Sequence, residues 1–212
     1  MKIIVGLGNP GVHYRSSRHN VGFQVMDRLS EMQRIPICSK RFKTLYGTGW
    51  INSQNVVLAK PLTFMNLSGE AVKKIISAFS AGMEDLIVIH DDLDLPVGRL
   101  RVKWRGGDGG HQGVRSIIEA TGGNAFLRLK VGIGRPPKGM EPAEYVLKAF
   151  EEDDQPEIDS ALCRAAEALV VILSEGVEAA MNRFQKKPNL PGGKESFSEA
   201  GQKCPDARRP KS

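Results

Sequence analysis

Long apolar runs are missing from this 212-residue chain, and none approaches the ~20 apolar residues that a membrane-spanning helix needs. The opening Met1-Lys2-Ile3-Ile4-Val5 lacks the long apolar core and cleavage site of a secretory signal, and reads instead as a first strand. Cysteine is scarce: Cys38, Cys163 and Cys204 stand far apart with no paired spacing. That excludes a disulfide framework and a cysteine zinc site, and it suits a reducing, cytoplasmic setting. No G-x-S-x-G nucleophile motif occurs, so a serine-hydrolase elbow is excluded. The glycine-rich stretch Gly106-Gly107-Asp108-Gly109-Gly110 lacks the Lys-Ser/Thr ending of a phosphate-gripping P-loop, which argues against nucleotide hydrolysis.

What is present is an ordinary globular composition, 41% hydrophobic and 25% charged, in a length that suits one well-buried domain. The formal charge is +6, but its location qualifies it. From Lys186 onward seven basic residues face three acidic ones, so residues 1–185 hold only +2. Bulk charge is thus weak support for an RNA partner, and its distribution over the core matters more. The segment 186–212 is rich in Pro, Gly, Ser, Lys and Glu; with little to bury, it reads as a disordered basic tail after a domain spanning 1–185.

The pattern predicts alternating strands and helices. Residues 2–7 form an apolar strand. A helix capped by Asn20 follows, with Val21, Val25, Leu29 and Met32 on one face. Thr44–Ile51 and Val56–Ala59 flank the polar turn Asn52-Ser53-Gln54. Ser68 is placed to cap a helix bearing Ala71, Val72, Ile75, Ile76 and Phe79. Leu86–Ile89 reads as a strand covered on both faces, ending in His90-Asp91-Asp92. Strands are also expected at 99–104 and 127–133, a helix after His111-Gln112-Gly113, and a long helix from about Gln155. The fold class is α/β: a single globular domain with a twisted mixed sheet flanked by helices.

Gly6, Gly8 and Gly11 satisfy G-x-G-x-x-G after the first strand, as a dinucleotide site would. Pro10 and the polar stretch to Arg18 delay the helix beyond the loop, so no helix N-terminus is available for a pyrophosphate. Counting roughly 20 residues onward lands inside the predicted helix, with no acidic residue closing a second strand.

Of four histidines, His13, His19, His90 and His111, His19 sits just before a helix start, whose positive end favours a neutral ring able to act as a general base. Asp91, ending a buried strand, is placed to orient it, and the pair would activate water directly. The competing reading is a histidine making a structural hydrogen bond at the helix start. Asn9 and Asn66 lie in irregular segments where a carboxamide can pair with a peptide group or hold an oxyanion, although loop asparagines commonly serve turns. Arg99, Arg101 and Lys103 on one strand and Arg128 and Lys130 on another read as solvated faces, or as a basic stripe for phosphates if the strands are neighbours.

Four stretches closely resemble the bacterial-type peptidyl-tRNA hydrolase family: GLGNPGVHYRSSRHNVG (6–22), KPLTFMNLSG (60–69), IHDDLDLPVGRLRVKWRGGDGGHQGVRSI (89–117) and LRLKVGIGRP (127–136). The resemblance implies that His19 is the catalytic base, Asp91 its partner, and Asn9 and Asn66 substrate-binding amides, with Tyr14 and Met65 lining the same crevice. It implies a site histidine at His111, and tRNA-facing basic residues at Lys103 and Lys130. Peptidyl-tRNA, gripped by its acceptor stem and peptide, is the implied partner of a monomeric enzyme needing neither metal nor other cofactor. Gln112 departs from the family's usual Asn after the loop histidine, which adds a methylene to the reach of that amide. Two other readings are a non-catalytic RNA-binding relative and a general esterase indifferent to tRNA.

Overall fold

The computed structural model describes residues 1–185; the tail expected over 186–212 lies outside the described residues. The first apolar run becomes the middle of the sheet. In β1 (Lys2–Gly6), Ile3 and Val5 point into one buried layer and Ile4 into the other, as a strand covered on both faces requires. β2 (Ser39–Arg41), β3 (Thr44–Ile51) and β4 (Gln54–Pro61) form an antiparallel meander, and β4 lies parallel to β1. On the other side of β1 comes β5 (Leu86–Asp92), also parallel. β6 (Leu100–Trp104) pairs antiparallel with β7 (Leu127–Gly132), which is parallel to β5. The single seven-stranded sheet therefore runs β2-β3-β4-β1-β5-β7-β6 and is mixed.

α1 (Val21–Gln33) covers the face of Ile4, Ile87 and Ile89. α2 (Ser68–Ala78) and α3 (Gln112–Thr121) cover the opposite face, where Val72, Ile75, Val114 and Ile117 meet Ile3, Val5 and Val88. α4 (Pro142–Leu147), α5 (Gln155–Ser174) and α6 (Val177–Phe184) join α1 on its side. The inner face expected of α5 is the one buried: Ile158, Leu162, Ala165, Leu169 and Ile172. No helix among the described residues is long and apolar enough to cross a membrane.

Some local expectations need correction. Ser68 is the first residue of α2 rather than its cap, because a 3₁₀ turn, Met65–Leu67, runs straight into the helix. Asn20 does hold the position before α1, but its side chain makes no capping bond. β5, by contrast, ends in His90, Asp91 and Asp92 as expected, so His90 and Asp91 lie within the strand. Arg128 is not on a solvated face. It is 1% exposed, because its guanidinium donates to the carbonyls of Gly106 and Gly107 while lying over the Phe126 ring. One arginine thereby satisfies two carbonyls of the glycine-rich loop.

The glycines of the dinucleotide-like pattern have another use. α1 begins so close to β1 that a Cβ on Gly6 would stand 2.2 Å from the carbonyl oxygen of Gly22. A Cβ on Gly22 would stand 2.4 Å from both the N and the O of Leu7. This contact brings the residues before α1 over the end of β1. We expect Gly22→Ala to separate helix from strand at a cost of about 2–3 kcal/mol. That corresponds to a Tm lower by roughly 4–12 °C for a chain of this size, measurable by circular dichroism. An unchanged Tm would show that the helix can move without penalty.

Candidate active site

The carboxyl ends of parallel strands are where open α/β sheets leave a crevice, and here the ends of β1 and β5 meet two helix starts. Asn9 follows β1. Its N–H donates to Asn20 Oδ1 (2.8 Å), and Asn20 Nδ2 donates back to the Asn9 carbonyl (3.0 Å). Asn20 thus clamps a loop instead of capping a helix, a role that no sequence spacing announces. Asn9 Oδ1 accepts the Met65 N–H at 2.8 Å. Its oxygen being taken, the Nδ2 of Asn9 is the end left for a ligand.

His19 occupies a 3₁₀ turn, Arg18–Asn20. Arg18 anchors that turn from behind: its N–H donates to the Lys148 carbonyl (2.9 Å), its guanidinium donates to Ala149 O and stacks 4.1 Å from the Tyr145 ring centroid. So fixed, His19 directs Nδ1 at Asp91 Oδ1, 2.8 Å away. His111 Nε2 reaches the same oxygen at 2.9 Å. His111 is also the cap of α3, and its Nδ1 accepts the N–H groups of Gly113 (3.1 Å) and Val114 (3.3 Å). A nitrogen accepting two N–H bonds carries no proton, so His111 is the neutral ring protonated at Nε2, donating to Asp91. For His19 the carboxylate requires a proton on Nδ1, which leaves the Nε2 lone pair open.

Asp91 is 3% exposed. Burial by itself would push its carboxyl up, but the electrostatics and hydrogen bonds of His19 and His111 outweigh it and hold the group well below the usual carboxylate range. The ligand atoms of His19, Asp91 and His111 lie within 4.8 Å of one another, a spacing a metal ion could bridge. An ion taking all three would need the His111 proton moved to Nδ1, which would break both bonds that cap α3. The donor set favours a hydrogen-bonded triad.

The remaining predicted residues fall in two groups. Met65 is buried beside Asn9, while Asn66, next along the same turn, is exposed, and its amide has no hydrogen bond among the described residues. Gln112 is exposed at the first position of α3, beside His111. Tyr14 is half-buried in the 3₁₀ turn Val12–Tyr14: its N–H donates to the Gly11 carbonyl and its own carbonyl accepts from the Ser17 N–H and hydroxyl, while its phenol hydroxyl has no hydrogen bond among the described residues. β6 and β7 are neighbours, with Lys103 opposite Arg128 and Arg101 opposite Lys130. The stripe is thinner than the sequence suggests: Arg128 is committed to the loop, and Lys130 is paired with Asp92 at 2.6 Å. Lys103 is exposed. A groove of about 800 Å³ starts at Asn9 and Asn20 and follows α1 past Phe23, Asp27 and Lys60. Sequence reasoning gave Asn20 the role of a cap and Arg128 that of a face residue, and assigned none to His90, whose ring packs on His111 with centroids 4.7 Å apart.

Burial, then His111 and Lys130, push His90 well below the ordinary histidine range against the pull of Asp91. A histidine held neutral in the fold protonates first in the unfolded chain. Its contribution is therefore present above about pH 6.5 and lost as pH falls. Asp91, held low, adds a further loss once pH drops below about 3.9. Urea unfolding between pH 7.5 and 5 should show stability declining on the acid side by up to about 1.4 kcal/mol per pH unit. A flat profile would contradict the neutral buried ring.

With this geometry, the comparisons agree. The peptidyl-tRNA hydrolase family profile matches residues 3–191. The peptidyl-tRNA hydrolase of Bacillus subtilis (strain 168) is 44% identical over 187 residues, covering 88% of this chain and 100% of that protein. That of Koribacter versatilis (strain Ellin345) is 49% identical over 192 residues, covering 90% and 96%. The crystal structure of peptidyl-tRNA hydrolase from Acinetobacter baumannii superposes with a TM-score of 0.83 at 34% identity, over 87% of this chain and 94% of that one. The chain belongs to the peptidyl-tRNA hydrolase family.

Proposed function

We propose that this chain hydrolyses the ester joining a peptide to the terminal ribose of tRNA, with His19 as general base. The observation that carries the reading is the sharing of Asp91 Oδ1 by two imidazoles, only one of which keeps a free nitrogen. His19 Nε2 takes a proton from water as the water oxygen attacks the ester carbonyl. Asp91 stabilises the imidazolium that forms. Collapse of the tetrahedral intermediate breaks the bond to the ribose oxygen, which receives the proton back from His19, releasing the peptide acid and free tRNA.

The oxyanion is best served by side-chain amides. Gly113 and Val114 N–H groups at the start of α3 are already taken by His111, leaving Asn9 Nδ2 and the exposed amides of Asn66 and Gln112 as donors. Amides aligned to a peptide group would also reject tRNA carrying a single free amino acid. Leaving such polar groups unpaired can lower selectivity for that substrate by roughly 10⁴-fold. We further infer a monomer that grips the acceptor stem over β6 and β7, with Lys103 contributing more than the neutralised Lys130.

Release of N-acetylated peptide from peptidyl-tRNA, with chelator present, tests the reading. We expect wild-type turnover to resist the chelator, and His19→Ala to lower kcat on the order of 10²–10⁴-fold while tRNA binding persists. Tight, salt-sensitive RNA binding without any wild-type turnover would leave a non-catalytic RNA-binding protein. A salt titration of KM tests the tRNA grip: Lys103→Ala should raise KM and flatten its salt dependence by about one phosphate contact, and Lys130→Ala should do so less. Equal effects from the two variants would show that the Asp92 pair opens when RNA binds.

A further inference from the structure

His90 is a buried imidazole that this chemistry leaves unused. It is 2% exposed, its Nδ1 lies 2.6 Å from the Asp91 carbonyl oxygen, and its Nε2 is buried with no partner among the described residues. A carbonyl only accepts, so Nδ1 carries the proton and Nε2 the unpaired lone pair. An apolar side chain in the same space would be free of that desolvation cost, so the ring's use must lie in the bond it does make.

The ends of the strands explain that bond. Carbonyls along β5 point alternately to its two neighbours: Ile89 O receives the Leu7 N–H, and Asp92 O receives the Ile133 N–H. The Asp91 carbonyl points as Ile89's does, toward β1. Pairing with β1 stops at Gly6, opposite Ile89. Two residues beyond that point the Asp91 carbonyl has no strand to donate to it, and a buried carbonyl needs a donor. His90 supplies it, while its ring meets His111 edge-on.

We propose that His90 is a positioning residue, fixing the backbone of Asp91 and the ring of His111 together so that one carboxylate oxygen meets both His19 and His111. The inference rests on His19 and Asp91 being the reacting pair. The charged and titratable groups that face His90 are Asp91 on its own strand, His111 from the start of α3, and Lys130 on β7, itself paired with Asp92. Burial first, with His111 and Lys130 on its flanks, keeps the ring a neutral donor, and its bond gives the Asp91 backbone one orientation.

The test compares His90→Leu with His90→Asn, whose amide nitrogen can take the place of Nδ1. We expect His90→Leu to lower kcat on the order of ten- to a hundredfold with KM changed by no more than about twofold, and to shift the acid limb of the kcat–pH profile. His90→Asn should restore most of the rate and the original limb. Because the Leu variant can lose its fold, imidazole ¹⁵N spectra of the wild type give a second readout. They should show His90 protonated at Nδ1 and unprotonated at Nε2 through the ordinary histidine range, around pH 6.5. The opposite tautomer, titration within that range, a folded His90→Leu with wild-type kcat and profile, or an Asn variant no better than Leu would each overturn the proposal. If the wild type shows no turnover, the hydrolase reading fails separately. His90 is then judged by whether Leu displaces, and Asn restores, the ¹⁵N shifts of His19 and His111.

Discussion

One buried carboxylate organises this protein's working end. Asp91 sits where a charge is costly to hold, at the interior end of a central strand, and a buried charge persists only when paired and hydrogen-bonded. Two imidazole N–H groups meet its Oδ1, one from the turn before α1 and one from the cap of α3. Elements on opposite faces of the sheet are thus tied to a single atom. Removing one partner of such a buried pair typically costs about 3–5 kcal/mol, so the same contacts that define the crevice hold its walls together.

The two histidines meet that oxygen through different nitrogens, His19 by Nδ1 and His111 by Nε2, and differ in what surrounds the other one. His111 gives its Nδ1 to the first turn of α3, where unpaired N–H groups need an acceptor. His19 stands in a 3₁₀ turn with no such claim on Nε2. Identical side chains become a donor locked at both nitrogens and one with an open nitrogen through position alone, and the asymmetry is set by the backbone.

Much of this was legible in the sequence, for identifiable reasons. Apolar runs such as Leu86–Ile89 and the spacing of Ile158, Leu162, Ala165 and Leu169 report burial directly, because periodicity follows from covered faces. The short elements β2, α4 and α6 escaped, since three exposed residues or two turns of helix give too little period to read. Asn20 was read as a cap because its type and place fit one; that its amide instead binds Asn9, eleven residues back, depends on a loop closing in space. Arg128 alternates with leucines as an outward residue would. It is buried because the glycine-rich loop folds back over that face and presents carbonyls that need a donor.

The double employment of His111 has an evolutionary side. One ring stops a helix from fraying and donates a hydrogen bond to Asp91, so selection on the helix and selection on the carboxylate's setting act on the same codon. A mutation there cannot be judged neutral for one and harmful for the other. Anyone redirecting this scaffold to a new ester would have to install a replacement cap at the start of α3 before position 111 becomes free to vary.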